Sequence, residues 1–242
     1  MPELTLKTNA RKLLHENSPK IFITSVIYII IFTVMSEFEF RLPGLSNMFD
    51  FYIKQYMEGL LPDVEKSAAL FRPSGVPLVI LLWLLSSVIM VGYMSYTLKV
   101  ARRQKSEIKD IFDGFLFFGK IILIKIVSNI IIALWSILLV FPGVIAYYRY
   151  RQAYFILIDD PKKGVLQCLR ESSILMQGKK FNLFFFDLSF IIWLLLDFLV
   201  MFFIPLPFSL PIVSIWLTPF YGVSQALYYD KLRSKACALG GG

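Results

Sequence analysis

The sequence predicts an all-α membrane protein, a polytopic bundle of six transmembrane helices with both ends of the chain in the cytoplasm. Three observations predict it. Of the 242 residues, 57% are hydrophobic and only 17% are charged, against about 25% charged in a soluble domain. The apolar residues gather into long runs, and in hydrocarbon only helices and closed barrels satisfy the backbone. A barrel strand alternates over about ten residues, which these runs do not do. Finally, the lysines and arginines behind the formal charge of +8 collect in short intervals between the runs, as in cytoplasmic membrane loops.

The composition also excludes several classes. Cys168 and Cys237 cannot build a disulfide framework, and His15, the single histidine, cannot supply a histidine metal cluster. No interval has room for a basic domain outside the bilayer, so nucleic acid is not an expected partner. There is no glycine-rich phosphate loop and no histidine beside a serine nucleophile. The pair Asp159-Asp160 has the chemistry to hold Mg²⁺ against a lipid phosphate, but Asp160 capping a helix before Pro161 explains it more simply. Neither a cofactor nor an enzymatic activity is expected.

Residues 1–20 are too polar for a cleavable signal. Leu6, Ala10, Leu13 and Leu14 recur at helical spacing beside Lys7, Arg11 and Lys12. Either this is an amphipathic helix lying at the membrane interface, or it is a frayed cytoplasmic tail. Span one follows at about 20–37 and span two at about 77–98, where Ser86, Ser87 and Gly92 are small enough to let another helix approach. The link between them is punctuated by Pro43, Gly44, Gly59, Pro62, Pro73 and Gly75, with material for one interfacial helix from Met48 to Leu61. From Glu37 to Gly75 it has more acidic than basic residues, which places it outside. Residues 1–20 and 99–110 are basic, which places them inside.

Residues 111–158 form a nearly continuous apolar run of about 72 Å as helix, more than two bilayer cores. The natural break is Phe141-Pro142-Gly143, giving span three at about 115–140 and a short span four at about 143–159. The basic interval 159–180 then returns to the cytoplasm; the rival reading, an interfacial helix over 143–158, would put it outside. Within that interval a helix is expected at about 162–177, with Gly178 as its C-cap. Span five covers 181–201. The proline-rich stretch 202–212 is read as an outer turn or broken helix start. Span six covers about 212–229, and Asp230, Lys231, Arg233 and Lys235 mark the exit. Residues 1–236 read as one membrane domain, with 237–242 as a flexible tail.

The candidate polar residues within the spans are Lys125, Arg149, Arg151, Asp187 and Asp197, with Asn129 as a polar companion. Ionisable groups there are costly and functional by default. Arg151 lies about 12 Å along span four from Asp159, and Asp187 about 10 Å along span five from Lys180. That common depth predicts an Arg151–Asp187 ion pair. The others either glue helices together, snorkel, or line a polar cavity. The aromatic residues, 16% of the chain, are expected mainly in interfacial belts.

Two segments, GYMSYTLKVARRQKSEIKDIFDGF (92–115) and FPGVIAYYRYRQAYFILIDDPKKGVLQCLRESSILMQGKKFNLFFFDLSFIIW (141–193), carry a family resemblance, as does PFYGVSQALYYDKL at the end of span six. The recurring marks are Pro142-Gly143, Tyr147–Tyr150, Ala153-Tyr154, Asp159-Asp160-Pro161, Ser172-Ser173 and Leu175-Met176-Gln177-Gly178-Lys179. Over about 92–232 the chain resembles a family of bacterial six-pass integral membrane proteins catalogued as a domain of unknown function. Arg149 and Arg151 depart from the family's usual tyrosine segment. The resemblance implies a helical bundle in the bacterial inner membrane, and it carries no activity.

Three function classes remain open at this point. One is a non-enzymatic scaffold or accessory subunit, partnered by the lipid bilayer and by another membrane protein or itself. The second is a small transporter or lipid- or peptide-handling protein with a polar cavity between spans three to five. The weakest is an intramembrane enzyme acting on lipid head groups.

Overall fold

The computed structural model describes residues 2–61, 63–203 and 212–240, and all regular structure among them is helical. In chain order the helices are α1 (Pro2–Glu16), α2 (Lys20–Arg41), α3 (Leu45–Met57), α4 (Val64–Ala69), α5 (Val76–Ala101), α6 (Phe118–Leu138), α7 (Val140–Tyr150), α8 (Ala153–Asp159), α9 (Val165–Leu175), α10 (Lys180–Phe203) and α11 (Ile212–Gly240), with 3₁₀ turns at Pro73–Gly75 and Ile108–Phe117. Among the described residues, three helical stretches are long and apolar enough to cross a membrane: Lys20–Arg41, Pro73–Ala101 and Ile108–Leu138. The proline-rich stretch read as an outer turn lies, but for residues 202, 203 and 212, outside the described residues.

The chain divides into two compact units, Met1–Ile29 with Ser87–Gly242, and Ile30–Ser86. The smaller unit contains two short helices where the sequence indicated one. α3 buries none of its side chains. α4 is started by Asp63, whose carboxylate accepts from Lys66 N at 3.1 Å and satisfies one of the unpaired amides of the first turn. A hydrogen bond of 2.7 Å between the Tyr52 and Ser67 hydroxyls joins the two helices.

In the larger unit α1 is a helix and not a frayed tail. Its stripe of Leu6, Ala10, Leu13 and Leu14 is buried in one cluster with Phe186 and Phe190 of α10 and Leu217, Val223 and Leu232 of α11. The stripe thus meets protein rather than lipid. Lys7 Nζ donates to Ser189 Oγ on α10 at 2.6 Å and stands 4.7 Å from the Phe190 ring centroid.

α5 crosses the Ile108–Phe117 3₁₀ turn backbone to backbone. A Cβ on Gly92 would lie 1.7 Å from the Ile111 carbonyl oxygen, and one on Gly114 would lie 2.0 Å from that of Val88. Only glycine at both places permits the approach. Gly92 therefore acts as a small contact position, and what it admits is a 3₁₀ turn.

α6 and α7 pack as a hairpin, and here the expected break moves. The chain reverses at Leu139, which is extended (φ −163°, ψ 146°), and Pro142-Gly143 falls inside the first turn of α7. Proline is cheap there, because the first-turn amides have no helical acceptor in any case. Gly143 is needed for contact: a Cβ would meet Ser136 Oγ at 2.0 Å. Span four is likewise not one helix. α7 ends at Tyr150, Arg151 and Gln152 form a turn, and α8 resumes at Ala153.

One end of this unit is tied by polar contacts. Arg103 meets Glu16 at 3.3 Å, Arg102 bridges Asp159 and Asp230, Lys120 Nζ donates to Lys163 O at 3.0 Å, and Tyr228 OH donates to Lys179 O at 3.3 Å. These contacts gather the ends of α1, α5 and α8, the starts of α6 and α10, and the Asp230 level of α11. α9 packs against the same unit through Cys168, Leu169 and Ser172. It is shorter than expected at both ends, with Gly178 in the left-handed region (φ 67°) three residues beyond it. Asp160 does not cap it; its carboxylate accepts from Lys162 N at 3.1 Å in the preceding turn. α11 continues helical to Gly240, well past the expected exit at 229 and into the stretch read as a tail.

Candidate functional site

Arg151 is the C-cap of α7, where a cation is favoured by the unpaired carbonyls of the last turn. Asp187 sits two turns into α10. Arg151 Nη1 donates to Asp187 Oδ2, and Arg151 Nη2 donates to the Tyr221 hydroxyl oxygen on α11. Asp187 accepts three further hydrogen bonds: from Tyr148 OH at 3.0 Å on Oδ2, and from Tyr221 OH at 3.1 Å and Gln225 Nε2 at 3.0 Å on Oδ1. The guanidinium also lies 5.6, 5.7 and 5.9 Å from the ring centroids of Tyr147, Tyr148 and Tyr221, within cation–π range. Side-chain exposure is 16% for Arg151 and 18% for Asp187. The centre is net neutral and joins α7, α10 and α11 at the point where the α7–α8 helix breaks.

The other four residues singled out from the sequence lie elsewhere. Asp197 accepts from Val213 N at 2.8 Å, from Ser214 N at 2.9 Å and from the Ser214 hydroxyl. It therefore caps the first turn of α11 from a neighbouring helix, where the helix dipole favours a carboxylate. Arg149 turns to α9, donating to Ser173 Oγ, while its carbonyl accepts from Ser172 Oγ at 2.8 Å. Lys125 donates to Ser87 Oγ on α5. Asn129 is half-buried on α6, one turn beyond Lys125.

A second charge centre joins the contacts at the end of the unit. Arg102 Nε lies 3.0 Å from Asp230 Oδ1, and its two terminal nitrogens reach Asp159 and Asp230. Asp159 also pairs with Arg233 and accepts from Tyr229 OH at 2.6 Å. Its carboxylate is only 5% exposed and its oxygens are occupied by cations and a phenol, so the pair Asp159-Asp160 does not act together.

Tyr148, Tyr221 and Tyr229 read from the sequence as belt residues, and Gln225 attracted no notice. The available signal was spacing. Tyr221, Gln225 and Tyr229 recur every four residues on α11 and so share one face, which meets Asp187 at one level and Asp159 about 6 Å further along.

Neither the curated proteins nor the solved structures contain a match to this chain. Residues 137–236, a shorter stretch than the resemblance over 92–232 indicated, hold most of both charge centres and match the model of the protein family of unknown function DUF975.

Proposed function

We propose that this is a six-span protein of the bacterial cytoplasmic membrane with α1 and the end of α11 on the cytoplasmic side, and that it acts as a non-enzymatic scaffold or accessory subunit. The observation that carries the scaffold reading is the Arg151–Asp187 centre. Every acceptor direction of the carboxylate is taken by this chain's own donors, and the arginine is enclosed by three tyrosine rings. A carrier needs polar groups that exchange partners with a substrate, whereas this arrangement suits a lock between helices. One cavity of the unit is lined by Arg102 and Asp159 among others, and it does not reach Arg149, Arg151, Asp187 or Asp197.

The span count is supported by the polar contacts that collect the intervals 99–110, 159–180 and 230–235 at one end, as the positive-inside bias requires. Residues 140–159, though broken at Arg151-Gln152, run back from the hairpin tip to the level at which α6 starts. At about 30 Å the two helices together match α6 in length. The tip exposes Ile137, Leu138, Leu139, Val140 and Phe141, which suits hydrocarbon and no aqueous loop.

The test uses Gln225→Cys in a Cys237→Ser background, in sealed vesicles of either orientation, with a charged aqueous thiol reagent. No labelling from either side is expected. Labelling from one side would replace the scaffold with the transporter, since water would then reach the centre.

A further inference from the structure

A cavity of about 300 Å³ opens beside the Arg102 centre, lined by Ser95, Lys99, Arg102, Asp113 and Asp159 on its polar side and by Leu98, Leu116, Phe117 and Ile158 on its apolar side. Its size is at the lower end for small-molecule sites, and its lining carries both signs of charge. Lys99 Nζ is 3.0 Å from Asp110 Oδ1 and 2.7 Å from Asp113 Oδ2, and Ser95 Oγ donates to that same Oδ2 at 3.2 Å. Asp113 Oδ1 therefore accepts nothing among the described residues, although its side chain is 25% exposed. An ammonium has three N–H donors and a guanidinium five, so Lys99 and Arg102 each keep one in reserve after these bonds. The cations Lys99, Arg102 and Arg233 face the carboxylates Asp110, Asp113, Asp159 and Asp230, leaving one carboxylate in excess.

We propose that this cavity binds a zwitterionic head group that joins a phosphate to a primary ammonium, as in phosphatidylethanolamine or free phosphoethanolamine. The phosphate takes the reserve donors of Lys99 and Arg102, and the ammonium donates to Asp113 Oδ1. The excess carboxylate disfavours an anionic head group that has no ammonium to offer it. A trimethylammonium has no N–H to offer Asp113. For the lipid form, Leu116 is 76% exposed at the apolar rim, with Phe112 and Phe115 exposed on the same 3₁₀ turn, a surface suited to acyl chains. The placement at the inner membrane surface rests on the topology proposed above; the match of charges does not.

The experiment takes the full chain in neutral detergent and follows its melting temperature during titration with phosphatidylethanolamine, its mono- and dimethylated forms, phosphatidylcholine and phosphatidylglycerol of identical acyl chains, and separately with free phosphoethanolamine. Half-maximal stabilisation is expected at about tenfold lower phosphatidylethanolamine than phosphatidylcholine, the difference expected of one charge-assisted hydrogen bond. The methylated forms should fall in order between them, and Asp113→Asn should abolish the preference. Stabilisation by free phosphoethanolamine as well identifies a soluble ligand, and stabilisation by the lipid alone identifies the bilayer; either supports the site. Equal response to all head groups, a preference for phosphatidylglycerol, or an Asp113→Asn protein that keeps the full preference overturns it. If that variant does not fold, the methylation series on the unaltered protein decides. Because the soluble arm needs no bilayer, loss of head-group preference refutes this site and leaves the topology to the vesicle labelling.

Discussion

At the scale of single residues, the Arg151–Asp187 centre illustrates how a charge is kept inside an apolar structure. Neither group is stable there alone, and removing one partner of a buried pair typically costs about 3–5 kcal/mol, whereas removing both costs far less. Asp187→Asn and Arg151→Gln are each expected to lower the melting temperature and the folded yield in detergent. The double variant should recover a substantial part of the loss. A double variant whose loss equals the sum of the two single losses would show that the two side chains act independently. Depth arithmetic could pair these two residues because Asp187 lies on regular helix and only the short turn at Arg151-Gln152 interrupts the helical path from Arg151 to Asp159. The same arithmetic could not find Tyr148, Tyr221 and Gln225, because hydroxyls and amides carry no charge to mark them and aromatic residues are abundant everywhere in this chain.

At the scale of elements, the decisive contacts are backbone approaches. Gly92 on α5 stands where a methyl group would collide with the Ile111 carbonyl. Backbone cannot swing aside as a flexible side chain can, so Gly92→Ala is expected to destabilise by at least about 1–3 kcal/mol, the usual cost of overpacking. Gly119, one residue into α6, has nothing within 4 Å of its would-be Cβ. Gly119→Ala should therefore be neutral or stabilising by about 0.5–1 kcal/mol, since glycine is a poor helix former. Chemical denaturation of both variants in one detergent checks the pair, and equal effects would contradict it. The apolar runs at 20–37, 77–98 and 181–201 were legible as helices because their length and composition leave few alternatives. The reversal at Leu139 was not, because proline and glycine mark a break only statistically, and here both are tolerated within the first helical turn. α1 was legible as an amphipathic helix but its partners were not, because an apolar stripe announces that it will be buried and does not say against what.

At the scale of the whole molecule, the two cysteines report on the fold and its placement. Cys168 is fully buried on α9, and that burial, with Glu171 adding to it, pushes its thiol above the usual range; a thiol held protonated and enclosed reacts slowly. Cys237 is exposed. A membrane-impermeant maleimide should modify one thiol per native chain, at Cys237, in inside-out vesicles and none in sealed right-side-out cells. Both thiols should react after denaturation in dodecyl sulfate. Labelling of Cys237 from outside would invert the proposed orientation, and rapid labelling of Cys168 would contradict the packing of α9. Charge segregation is the basis of the proposed orientation, because each basic interval argues for one side of the membrane. The two compact units were not readable, because their separation is set by which helices touch and not by any shift in composition.

The bond between Lys7 and Ser189 joins residues 182 positions apart. A ribosome adding about 5–20 residues per second needs roughly ten to forty seconds to travel that interval. For all of that time α1 exists without α10 and α11, the surfaces that bury its leucines. A helix made so long before its partners is late to find its place, and until then its apolar stripe must be sheltered by lipid or by a chaperone.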